Sequence, residues 1–321
     1  MFDVLSVTFP FFALVLCGYL AARQFFLPLA AIPGLNGFVL FFALPCMLFR
    51  FGASTPITQL LDVSVFLTYL LCALLMVSFA VAISMNTRLR WTDAALGALV
   101  AAFPNTGFMG VPLLVALLGN AAAGLVIVTI LVDMVITTSL CLALAELDAV
   151  DGHGAATALR KALQGMLKNP MPWAILLGAF FSWQELELMA PVAQTVGLLA
   201  DAASPVALFT IGAVLARSQV IAHERPHGPL LLRSPMPMAL CKLVLHPLLV
   251  YAVVSAARSL GAPISAFSAT VLVLVAALPS ASNVSLLAER IGADNGRIAR
   301  IILVTTTLAF FTFPVAVRLS H

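Results

Sequence analysis

Residues 101–114 read AAFPNTGFMGVPLL and interrupt an apolar stretch long enough to cross a bilayer. Pro104, Asn105, Gly107, Gly110 and Pro112 all work against a continuous helix there. Proline lacks the amide donor and clashes with the preceding turn, while glycine lowers the cost of leaving helical geometry. In lipid, each unpaired N–H or C=O costs several kcal/mol, so such a break survives only inside protein or beside a polar cavity. Freed amides at the start of a half-helix carry partial positive charge and suit an anion. Asn105 and Thr106 bring side-chain donors and acceptors to the same depth.

The rest of the chain reads as a polytopic membrane protein. Of its 321 residues 62% are hydrophobic and 9% charged, against about 25% charged in soluble domains. With a net charge of +3 and no basic cluster interleaved with aromatics, nothing points to nucleic acid. Cys17, Cys46, Cys72, Cys141 and Cys241 sit in apolar segments without a CxxC pair, as small buried hydrophobes do. No Lys or Arg precedes the first apolar run, so that run is expected to stay as a helix rather than be removed as a signal.

Apolar runs between charged or turn-rich breaks predict ten helices, at about 4–22, 31–53, 62–86, 93–118, 121–145, 170–184, 191–216, 236–258, 263–289 and 297–318. The sixth is the weakest, since Gln184, Glu185 and Glu187 cut it short. Ten spans place both termini on one side. The connections after the odd-numbered spans then hold Arg23, Arg88, Arg90, Arg160, Lys161, Lys168, Arg217, Arg225, Arg233, Lys242, Arg290, Arg297 and Arg300. Only Arg50, Arg258 and Arg318 fall on the other face. The loaded face is therefore expected to be cytoplasmic, with both termini extracytoplasmic and the chain multi-pass in the inner (plasma) membrane.

The two halves resemble each other. One constant shift carries Pro10 onto Pro170, Gly18 onto Gly178, Gly37 onto Gly197, Pro45 onto Pro205, Phe49 onto Phe209 and Gly52 onto Gly212. Further along, VAAFP (100–104) matches VAALP (275–279), and LLVALLG (113–119) matches LLAERIG (286–292). This predicts a first five-helix repeat at 1–146, a cytoplasmic linker at 147–169 and a second repeat at 170–321. Five spans are an odd number, so the second copy enters the membrane inverted, as in secondary transporters. The break at 101–114 then has a counterpart, AALPSASNVSLL (276–287), where Pro279, Ser280, Ser282 and Asn283 match the first break's polar and helix-breaking character.

PNTGFMGVPLLVALLG (104–119) resembles the fourth-helix motif of the auxin efflux carrier family, which includes plant auxin exporters and bacterial malonate-carrier-like proteins. LNGFVLFFALPCMLFRFGA (35–53), NPMPWAILLGAFFS (169–182) and ALPSASNVSLLAERIG (277–292) look like the family's second, sixth and ninth helices. Without a long hydrophilic loop, the likeness is to the bacterial branch. The resemblance implies an all-α membrane fold of sodium/proton-antiporter type. Its fourth and ninth helices are broken and cross, its first, second, sixth and seventh form a scaffold, and the others form a mobile transport domain. It also implies a small organic anion as substrate, bound beside the crossing with Asn105 and Asn283 on the family's asparagines, and a homodimer through the scaffold. Pro104, Thr106, Gly107, Pro279, Ser280 and Ser282, read from the two breaks, complete the expected substrate site. No cofactor or metal is expected, only a proton or sodium as coupling ion.

Asp133, a lone acid within the fifth span, allows two readings, a proton or cation coupling site facing the crossing or a structural acid paired within the transport domain. The first is favoured, because an intramembrane carboxylate is costly and functional by default. The family resemblance puts glutamine at that position in plant relatives. Lys242 and His246, four apart on one helix face, allow two readings. Either Lys242 snorkels to the cytoplasm and His246 bonds a carbonyl, or Lys242 is a counter-charge to Asp133 or to the substrate. Asp201 is expected to be structurally paired or hydrated near the outer face. Glu289, Arg290, Asp294, Arg297 and Arg300 are expected to form a solvated cytoplasmic face. An intramembrane protease would need paired acids or a nucleophile with its base, and no such motif occurs. The expected function is a proton-coupled carrier of malonate-like or auxin-like acids working by elevator-type alternating access. The alternative is a sensor on the same fold that does not transport.

Overall fold

The computed structural model describes residues 2–56, 62–85, 89–146, 170–223 and 235–320. The expected linker 147–169 lies outside the described residues, as do Arg88, Arg160, Lys161, Lys168, Arg225, Arg233 and the side chains of Glu289 and Arg290. The helices are α1 (Phe2–Arg23), α2 (Leu29–Ser54), α3 (Val63–Met85), α4 (Trp91–Ala102), α5 (Thr106–Leu118), α6 (Ala121–Ala145), α7 (Pro170–Trp183), α8 (Ala190–His223), α9 (Met236–Ser259), α10 (Ala266–Ala277), α11 (Asn283–Ile291) and α12 (Asn295–Ser320). Seven of them, α1, α2, α3, α6, α8, α9 and α12, are long and apolar enough to cross a bilayer. No strand occurs among the described residues, apart from one isolated antiparallel pairing of Pro104 with Ser280.

The fourth predicted span is the pair α4–α5, and the ninth is the pair α10–α11. The first interruption is tighter than the sequence suggests, because helical geometry resumes at Thr106 as a π-helical turn, Thr106–Gly110. The seventh span runs further than expected, to His223. Arg217 and Gln219 are good helix formers, so the helix continues past its apolar stretch. The Tyr19 hydroxyl of α1 donates to Gln219 Oε1 at 2.7 Å and fixes this extension.

α4 and α10 occupy the centre. Every residue from Ala94 to Ala102 is buried, as are Val271, Leu272, Leu274, Val275, Ala276 and Ala277. The alanine-rich α4, with Gly97, lets neighbours approach closely. α3 and α6 pack on α4, while α6, α9 and α12 pack on α10. α1 lies along α8, and α2 lies against both α7 and α8. Exposed Leu67 and Leu71 on α3, and Trp173, Leu176 and Phe180 on α7, give the apolar outer surface that a bilayer requires.

Four glycines set how closely the outer helices meet. A Cβ on Gly18 would collide with the Phe209 carbonyl, and one on Gly212 with the Val15 carbonyl. A Cβ on Gly178 would lie 2.5 Å from the Phe49 carbonyl oxygen, and one on Gly52 would lie 3.2 Å from that of Ile175. The shift that aligns the two halves in sequence carries Gly18–Phe209 onto Gly178–Phe49. It also carries Gly52–Ile175 onto Gly212–Val15.

Candidate functional site

Two broken helices meet at residues 103–105 and 278–282. Neither Pro104 nor Pro279 has an amide hydrogen, so each break frees backbone groups inside the molecule. The breaks satisfy one another. Asn105 N–H donates to the Pro279 carbonyl at 2.8 Å, and Ala281 N–H donates to the Phe103 carbonyl at 3.0 Å. The Asn105 carbonyl accepts from the amides of Met109 and Gly110 at 3.1 and 3.0 Å, which is what widens the first turn of α5. Thr106 returns its hydroxyl to the Pro104 carbonyl at 3.1 Å. Ser280 N–H reaches the Thr305 hydroxyl of α12 at 3.3 Å. A Cβ on Gly110 would sit 2.8 Å from a Leu278 methyl, so a larger residue there would push the breaks apart.

Five of the predicted substrate residues, Pro104, Asn105, Thr106, Gly107 and Asn283, line one cleft. Its opposite walls are apolar, from Leu40 and Leu44 of α2, Ile130 and Met134 of α6, and Met171 of α7. The cleft holds about 30 Å³, well below the roughly 300–1,000 Å³ typical of small-molecule sites. Pro279, Ser280 and Ser282 do not line the cleft. Ser280 is fully buried with its amide facing α12, and Pro279 supplies the carbonyl that holds Asn105. The Ser280 hydroxyl, the Asn283 side-chain oxygen and the Thr306 hydroxyl are buried without a hydrogen-bond partner. Buried polar atoms of this kind need an explanation, and here they cluster around the crossing.

Asp133 is fully buried in a π-helical turn of α6, Val132–Thr137. Its Oδ2 accepts from the Tyr69 hydroxyl of α3 at 2.8 Å and its Oδ1 from Thr137 at 3.2 Å. The carboxylate therefore faces α3 behind the cleft, while its neighbour Met134 lines the cleft wall. Lys242 is also fully buried, in the π-helical turn Cys241–Leu245 of α9. It neither snorkels nor forms an ion pair with Asp133. Its ammonium donates to the Ala276 carbonyl at 2.8 Å and lies 2.9 Å from His246 Nδ1. The cause lies in the second break. α10 stops at Ala277, so the Ala276 carbonyl loses the amide four residues on, and a cation at a helix C-terminus is favoured. When the ammonium donates to Nδ1, the imidazole proton sits on Nε2, which is buried without a partner. It is Lys242, not His246, that bonds the carbonyl. π-helical turns recur at functional sites, and two of them carry these charges.

Asp201 forms an ion pair with Arg50 at 2.6 Å between α8 and α2, with both side chains exposed, in keeping with a structural pair. The expectation of a solvated face around Arg297 is corrected. Arg297 is only 5% exposed, and its guanidinium packs over Gly97 and donates to the Asp93 carbonyl at 3.1 Å. The Asp93 carboxylate accepts from the Asp294 amide at 2.8 Å and pairs with Arg90 at 3.0 Å. The start of α4 is thereby tied to the turn before α12, because a buried guanidinium needs acceptors on every side.

Sequence reasoning missed Tyr69 and Thr305. Both carried a signal, since a hydroxyl deep in an apolar helix, as in LVTTTLA (303–309), must find a partner.

An apolar helical chain with two broken helices joined at its centre is the architecture of a multi-pass membrane transporter. The profile of a family described as "Membrane transport protein" matches residues 3–317. The chain belongs to this family, the auxin efflux carriers, and it is a transporter, not an enzyme. It is also 31% identical over 323 residues to a Rhizobium meliloti (strain 1021) protein named "Putative malonate transporter", covering 97% of this chain and 94% of that one.

Proposed function

We propose that the protein is a secondary carrier for small organic anions, with malonate-like carboxylates favoured by the named relative and auxin-like acids by the wider family. The observation that carries this reading is the backbone-bridged crossing, with Asn105 and Asn283 on one cleft. Asn105, Thr106, Asn283 and the amides near Gly107 contact the carboxylate. Pro104, Pro279, Ser280 and Ser282 keep the breaks open.

In this reading the chain is two inverted five-helix repeats, 1–146 and 170–321, joined by 147–169. The matched glycine contacts support it, since they are what a two-fold relation between the halves requires. α1, α2, α7 and α8 are the scaffold and the homodimer surface, while α3–α6 and α9–α12 move as one body. The cleft lies between the crossing and the apolar wall of α2 and α7, so sliding the mobile body along that wall opens it to either side. Asp133 is the proton-coupling group, and Lys242 couples the second break to it. Both termini lie outside the inner membrane, as the basic residues favour.

The test is uptake of labelled malonate and indole-3-acetate into liposomes holding the purified protein under an imposed pH gradient. Saturable uptake that collapses in Asn105→Ala is expected. Uptake indifferent to Asn105→Ala, or a ligand that raises the melting temperature with no acid transported, overturns the reading.

A further inference from the structure

α9, α10 and α12 do not close against one another along their whole length. They leave a groove of about 810 Å³, well within the range of roughly 300–1,000 Å³ typical of small-molecule sites. From α9 the groove takes one face, running from Leu243 through Tyr251 to Arg258. That is about 22 Å along the axis, more than half of a hydrocarbon core of about 30 Å. Its sides are mainly apolar, with Val273 from α10 and Phe311 and Val315 from α12, and carry the hydroxyls of Thr270 and Thr312. Polar character gathers at one end, where Arg258 and Ser255 stand one turn apart. The Arg258 guanidinium makes no hydrogen bond or ion pair among the described residues. It is placed in the last turn of α9, where a cation is favoured.

A long apolar trough with a guanidinium at one mouth calls for an amphiphile with an anionic head. A purely apolar helix laid along it would leave the Arg258 guanidinium without an anion. Acyl chains are thinner and adapt to the trough, and a guanidinium fork suits phosphate oxygens. We propose that this groove binds an anionic phospholipid, its phosphate on Arg258 and its acyl chains along α9. The lipid braces α9 against α10, the two helices joined by the Lys242–Ala276 hydrogen bond beside the second break. This holds whatever acid the cleft carries.

The experiment measures melting of the purified, detergent-solubilised protein with added phosphatidylglycerol or phosphatidylcholine, alongside native mass spectrometry of bound lipid. Phosphatidylglycerol is expected to stabilise the wild type more than phosphatidylcholine does. Arg258→Gln, an exposed substitution, should abolish that preference with roughly tenfold weaker phosphatidylglycerol binding. Ala269→Phe, which pushes a ring into the groove, should weaken the effect of both lipids. Equal stabilisation of the wild type by the two lipids overturns the proposal, as does a preference that survives in Arg258→Gln. Dissociation of a dimer by Ala269→Phe would make the groove a seam between copies and overturn it equally.

Discussion

Lys242 is the residue whose environment constrains the site most. A buried ammonium needs acceptors, and the second break provides one by leaving the Ala276 carbonyl without its helical partner. Lys242→Met keeps the side chain's length and removes the donor. We expect it to lower stability by about 1.5–3 kcal/mol, read as a lower melting temperature in detergent, and to slow uptake. Asp133 is held differently, by two hydroxyls on its carboxylate and no cation in contact. If it is the coupling group, Asp133→Asn should leave the KM for the acid unchanged while uptake no longer responds to an imposed pH gradient. Tyr69→Phe removes a positioning hydroxyl outside the cleft, so it should lower the maximal rate and spare KM. A rise in KM in either variant would place these residues against the substrate instead.

At the level of elements, the fold depends on how closely helices approach. Gly212 meets the Val15 backbone and Gly37 meets nothing within 4 Å, so the two glycines predict opposite outcomes. Gly212→Ala should force α1 from α8 and destabilise by about 1–3 kcal/mol, whereas Gly37→Ala should be neutral or stabilising by up to about 1 kcal/mol. Melting curves of the two variants decide it. Most helix limits and the positions of both breaks were legible in the sequence because proline, glycine and charge act locally; the end of α8 at His223 was not. The shared cleft of Asn105 and Asn283 was legible through the matched halves. Which helix lies beside which was not. Helices that are apolar all round, such as α3 and α10, carry no stripe to say which face meets a neighbour. Hence Tyr69 as the partner of Asp133, Ala276 as that of Lys242 and Asp93 as that of Arg297 appear only in three dimensions.

Across the whole molecule, the proposed motion slides one body along the other, and the contact of Phe12 on α1 with Phe310 on α12 lies between them, ring centroids 5.4 Å apart. In a variant with the five native cysteines replaced, a cleavable bis-maleimide joining Cys at positions 12 and 310 should stop uptake, and cleaving the linker should restore it. Uptake that continues through the crosslink would rule out relative movement of α1 and α12. The paired breaks also bear on how the protein is made. The Phe103 carbonyl and the Asn105 amide find their partners only at Ala281 and Pro279, so in an emerging chain the first break stays unsatisfied until the second half has been synthesised. At about 5–20 residues per second that wait lasts roughly 10–35 s. During it, the nascent fourth span has no stable home in lipid. Biogenesis therefore has to shelter it, in the insertion machinery or between its own neighbours, and a ribosome stalled before Pro279 should leave the first half exposed to membrane quality-control proteases.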